Sequence, residues 1–123
     1  MNPVRRVSES DEYLTEERCR ILELSNDPDD PALSIARARV APGVRTRWHR
    51  LHGISERYLI LEGEGLVEVG EEPAQRVGPG DVVLIAPMQR QRIANHGNAD
   101  LLFLALCTPR FVWDAYEDIE PAP

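Results

Sequence analysis

GVRTRWHRLHGISERYLILEG, residues Gly43 to Gly63, is the stretch whose reading decides the fold. Its second half alternates polar and apolar residues, as a β-strand with one buried face does. His52 and Glu56 share a face if the chain stays extended, and Tyr58 and Ile60 continue that inward row. His49 has the opposite parity. Both imidazoles reach one point only if the phase shifts between them, through a bulge or loop at Arg50-Leu51, with Gly53 nearby to permit irregular backbone. A second stretch, GDVVLIAPMQRQRIAN from Gly80 to Asn95, sets Gln91, Ile93 and Asn95 on one face and Arg90 and Arg92 on the other. Gln91 is therefore predicted to look inward, opposite the histidines.

Working outward, short strands are predicted at Arg20–Leu24, Leu33–Val40, Arg45–Leu51, Glu56–Leu61, Leu66–Val69, Ala74–Val77, Val82–Ile85, Gln91–Asn95 and Asp100–Cys107. Turns rich in glycine, proline and aspartate separate them, as at Gly78-Pro79-Gly80-Asp81. Asp100–Cys107 is the most apolar segment and is expected to be a central strand. This spacing predicts an all-β barrel or double-sheet jelly roll. The 123 residues fit one domain. Residues 1–17 read as an N-terminal arm, about 33–107 as the barrel, and 108–123 as a tail that carries Phe111, Trp113 and Tyr116. The tail is expected to fold over the barrel or reach a second subunit, and to end disordered.

The two stretches resemble the paired motifs of the cupin superfamily. The first motif reads G-x5-H-x-H-x3-4-E-x6-G, and here Gly43, His49, His52, Glu56 and Gly63 keep every gap but one, the histidines being HxxH rather than HxH. The second reads G-x5-P-x-G-x2-H-x3-N. Gly80, Ala86, Met88, Gln91 and Asn95 keep its spacing, with Ala86 for the proline, Met88 for the glycine and Gln91 for the third histidine. The resemblance implies an all-β, cupin-type double-stranded β-helix, or jelly-roll barrel, of the small single-domain, metal-binding kind. It also implies a homodimer paired through the N-terminal strands, and exposed sheet edges give a physical reason to pair.

The first shell predicted on this basis is His49, His52, Glu56 and Gln91. Two imidazoles and a carboxylate suit a divalent transition metal such as Fe, Mn, Ni or Zn. A glutamine amide adds only a weak ligand and leaves positions open for water or substrate. Tyr58, Ile93, Asn95 and Trp48 are the candidates for lining a substrate pocket. Arg90 and Arg92 are expected to face outward, His96 to be a surface residue, and Met88 to pack at the rim.

Composition narrows the partners. A net charge of −7 argues against nucleic acid, which needs a basic footprint. All 14 basic residues are arginine, so Schiff-base lysine chemistry is excluded. Six of them, at 37, 39, 45, 47, 50 and 57, stand in the middle of the chain, and a positive middle favours an anionic small molecule. No apolar run is long enough to cross a bilayer. Cys19 and Cys107 make no CxxC and read as buried free thiols of a cytoplasmic protein. The first expectation for function is a metalloenzyme, of oxygenase, isomerase or decarboxylase type, acting on a small oxygen-rich anion. The alternatives are a non-catalytic cupin that binds an organic acid or sugar, and a metal-free cupin in which Glu56, His52 and Gln91 hydrogen-bond a carbohydrate.

Overall fold

A computed structural model describes residues 2–122, and Met1 and Pro123, the outermost residues of the predicted arm and tail, lie outside the described residues. The strands are β1 (Tyr13–Leu14), β2 (Arg20–Ser25), β3 (Ser34–Val40), β4 (His49–Leu51), β5 (Ser55–Glu62), β6 (Gly65–Val69), β7 (Gln75–Val77), β8 (Val82–Ile85), β9 (Gln91–Ala94), β10 (Leu101–Thr108) and β11 (Tyr116–Asp118). They form two antiparallel sheets, in the orders β1-β2-β3-β10-β5-β8 and β11-β4-β9-β6-β7. This is the double-sheet jelly roll that the turn spacing predicts. β10 is indeed central, paired along its length with β3 on one side and β5 on the other.

Side-chain alternation explains which residues face in. On β5, Glu56, Tyr58 and Ile60 are buried while Arg57 and Leu59 look outward; on β3 the buried set includes Ser34, Ala38 and Val40. One end of the barrel interior is apolar. There Val40, Ile60, Ile93 and Leu101 interlock with hardly any exposure. Each such side chain contributes about 1.5–3 kcal/mol by burial. The turn after β5 depends on Gly63, whose φ is +79° and where a Cβ would lie 2.6 Å from the Asp100 carbonyl oxygen. No L-residue with a side chain fits there without moving backbone.

The structure corrects or extends the sequence reading in three places. The arm is ordered: it holds a 3-10 turn (Glu9–Asp11) and β1, and Glu9 and Glu12 grip Arg37 while Glu12 also meets Arg39. These partners lie on β3, so no local periodicity could announce them. The predicted strand Arg45–Leu51 forms only from His49, apart from one bridge between Arg45 and Ala94. Thr46 replaces the ladder there, its backbone N–H donating to the Ile93 carbonyl at 2.9 Å and its hydroxyl accepting the Ile93 N–H at 3.0 Å. The tail folds back onto the barrel of its own chain. β11 pairs with β4 of the same chain, the Ile119 N–H donates to the Trp48 carbonyl, and Glu120 pairs with Arg18 and Arg47.

Candidate functional site

β4 alternates without a bulge: His49 points in, Arg50 points out to Glu117, and Leu51 points in. The phase shift that would bring both histidines to one point does not occur. His52 consequently falls in the turn beyond the strand, exposed, with Nε2 2.7 Å from Glu117 Oε1. Leu51 holds the inward place one step earlier. Gln91 stands beside His49 as its partner across β4 and β9, rather than opposite it, and Glu56 comes from β5 of the other sheet.

His49 and Glu56, but not Gln91, line a cavity of about 60 Å³, room for a few waters or one small organic group. Its walls include Glu17, Glu23, His49, Glu56, Tyr58 and Tyr116. Glu17 is aimed inward by the β1–β2 hairpin turn. The Thr15 N–H donates to the Cys19 carbonyl at 2.9 Å, Arg18 takes a left-handed φ of +74°, and the Cys19 thiol donates to Glu17 Oε1 at 2.8 Å. The C-terminal segment closes the same end with an aromatic run. Phe111 meets Trp113 edge-on at 4.9 Å, Trp113 meets Tyr116 at 5.3 Å, and Tyr116 stacks on the His49 ring at 5.0 Å.

The electrostatics of the cavity follow from its depth. Burial pushes the Glu56 carboxyl up to about 7, opposed by the nearby His49 ring, the Gln91 amide and the Cys107 thiol. Its Oε1 is buried and has no hydrogen-bond partner. The His49 Nδ1 lies 2.8 Å from the Arg47 carbonyl, which can only accept, so Nδ1 carries the proton and Nε2 faces the cavity, 3.7 Å from Glu17 Oε2. The Tyr58 hydroxyl donates to the Gln91 side-chain oxygen, while Gln91 Nε2 has no partner. Cys19 and Cys107 are both buried and free, and burial pushes both thiols far up, so they stay protonated.

The predicted metal set does not fit this arrangement. Leu51 occupies the inward position nearest His49 on β4, His52 is outside, and the Gln91 oxygen is already taken by Tyr58. Among the described residues no three His, Cys, Asp or Glu side chains group as a metal ion would require.

Of the predicted pocket residues, Tyr58 alone lines the cavity. Ile93 is fully buried in the apolar core. Asn95 fastens the turn after β9: its Nδ2 donates to the Val40 and Ala99 carbonyls and its Oδ1 accepts the Gly97 N–H. Trp48 does not line the cavity, and the guanidiniums of Arg90 and Arg92 lie over its ring at 4.3 and 4.1 Å from the centroid. Arg90 and Arg92 thus look outward as predicted, and His96 and Met88 are exposed. Glu17, Glu23, Trp113 and Tyr116 were not foreseen as site residues. The aromatic tail carried a signal in its composition, whereas Glu17 and Glu23 carried none.

Comparison with known proteins agrees with this architecture. A protein of Methanocaldococcus jannaschii without a characterised function is 36% identical over 87 residues, which make up 71% of this chain and 66% of that protein, slightly under two-thirds of its length. A predicted oxalate decarboxylase from Thermotoga maritima superposes with a TM-score of 0.76 at 27% identity, covering 86% of this chain and 98% of that one. Pac13, a nucleoside dehydratase, superposes with a TM-score of 0.76 at 14% identity, covering 96% of this chain and 92% of its own, a likeness of fold alone. The family model described as Cupin domain matches residues 36–107, and with both sheets of the jelly roll in place the chain belongs to the cupin family.

Proposed function

We propose that this chain is a small-molecule cupin whose barrel cavity holds one small ligand and exchanges protons with it through Glu56 and His49, with no metal ion held by protein side chains. The observation that carries the reading is the Glu56 carboxylate, buried at the cavity wall with one oxygen unpartnered and its ionisation raised to about 7. A carboxyl with that value can both give and take a proton near neutral pH. The ring of His49, held by the Arg47 carbonyl and backed by Glu17, presents Nε2 to the same space. Such a pair suits an elimination or isomerisation that needs one proton removed and one delivered.

The test is a thermal-shift screen of small metabolites against tag-free protein, with hits repeated in the presence of a chelator and with Glu56→Ala and His49→Ala. The expected result is a ligand whose stabilisation survives chelation and is lost in both variants. Stoichiometric iron, manganese, nickel or zinc in the purified protein, lost on His49→Ala, would overturn the metal-free reading. Likeness to a predicted oxalate decarboxylase at 27% identity favours that second reading, a metal-dependent reaction on a small acid. The same elemental analysis decides between them.

The homodimer implied by family resemblance is part of the proposal. Val82 and Leu84 on edge strand β8 are 57% and 71% exposed, and Leu61 on neighbouring β5 is 41% exposed, an apolar patch that a second copy would cover. Light scattering on the chain and on Leu84→Lys checks it, with a dimer expected for the first and a monomer for the second.

A further inference from the structure

The sequence places six arginines around the candidate site, yet no arginine lines the cavity. Arg37, Arg39, Arg47 and Arg50 are engaged with carboxylates on the outer surface, and Arg57 donates to the Thr108 hydroxyl. Inside, three carboxylates line the wall: Glu17 from the β1–β2 turn, Glu23 from β2 and Glu56 from β5. Arg110 acts on Glu23 from beside the cavity without lining it. Glu56 is nine-tenths buried and its Oε1 has no partner, so an oxygen that accepts hydrogen bonds is left waiting inside. The remaining wall is aromatic, with Phe111, Trp113 and Tyr116 in edge and stacked contact. Carboxylates beside π-faces form a site for a cation: each ring attracts positive charge over its face, and each carboxylate accepts a charged N–H.

We propose that the ligand of this cavity carries a positively charged amine that enters to meet Glu56, with Glu23 and Glu17 on the same wall, and a small ring that stays at the mouth against Trp113, which is 47% exposed. This rests on the reading of the cavity as a ligand site and reverses the charge that the arginine count predicts. An anion entering the cavity would face three carboxylates with no guanidinium among the lining residues to offset them.

The experiment uses three probes of one size and different charge, namely benzylamine, benzyl alcohol and benzoate, titrated calorimetrically into the full chain at pH 7.5. Benzylamine is expected to bind at least about tenfold more tightly than either of the others, the worth of one charge-assisted hydrogen bond. Glu23→Gln and Glu56→Gln should each weaken benzylamine about fivefold or more while leaving benzyl alcohol unchanged. Equal binding of the alcohol or benzoate in the cavity would overturn this proposal and leave the ligand-site reading standing. Benzylamine binding undiminished in both variants would assign it to the acidic surface and also overturn the proposal. Failure of all three probes to bind would overturn both.

Discussion

On the outside of the barrel Arg37, Arg39, Arg47 and Arg50 each meet a carboxylate, while inside it Glu56 and Gln91 each keep a polar atom without a partner. Most of the outer pairs are open to water, which screens them, and they contribute little individually; Arg37 with Glu12 is the more covered pair, each side chain 15% exposed and Arg37 Nε without a partner. The inner groups sit where water has been removed, so a missing partner is expensive and a ligand that supplies one is favoured. Yet burial alone does not make a polar residue available. Asn95 is as deep as Gln91, and all of its hydrogen-bonding capacity is spent on backbone of the surrounding turn.

The largest break in that comparison should come from Asn95→Ala. It strands the Val40 and Ala99 carbonyls and the Gly97 N–H, and should destabilise the fold by about 3 kcal/mol in denaturant unfolding. Glu56→Gln should do the reverse at neutral pH. The folded carboxyl titrates at about 7 against 4.5 for an ordinary glutamate, so the folded state binds more protons than the unfolded one in that window. Stability of the natural chain should therefore fall as pH rises from about 4.5 to 7, and Glu56→Gln should remove that slope. The variant should be more stable by about 1–3 kcal/mol at pH 8.

Outside, the sign is opposite. Arg50 and His52 hold Glu117 down to about 2, and Arg47 holds Asp118 below its ordinary value. Their stabilisation is present above the ordinary carboxylate range and is lost as pH falls below about 4.5. Glu117→Gln should blunt the acid side of the pH–stability curve and leave the neutral side unchanged. The smallest effect belongs to His52→Ala. With the ring exposed, melting temperature should stay within about 2 °C and ligand binding should be unaltered, whereas His49→Ala should abolish binding.

Much of the fold was legible because sheet burial has a period of two. The inward row Glu56, Tyr58, Ile60 and the face shared by Gln91 and Ile93 could be read directly, and both lie as predicted. The site was legible only in part. His49 and Glu56 reach the cavity, but parity carried back from Glu56 put His52 inward, whereas a turn separates β4 from β5 and the inward place on β4 goes to Leu51. The arginine count cannot tell which face of the sheet each guanidinium takes, and none of the six lines the cavity. Trp48 was misplaced for the same reason, since it precedes the regular part of β4 and its side is set by Arg90 and Arg92 on a strand far along the chain.

The sequence by itself determined the jelly roll, the central position of β10 and the inward rows of β5 and β9, since alternation and turn chemistry are local properties. Only the tertiary structure decided what the cavity contains. Glu17 arrives from a hairpin turn, Trp113 and Tyr116 from the returning tail, and the arginines leave for acidic partners at both ends of the chain. Those choices depend on contacts between residues up to 102 positions apart. A local pattern carries no trace of them, because the energy that fixes each side chain's direction is supplied by a partner elsewhere in the chain.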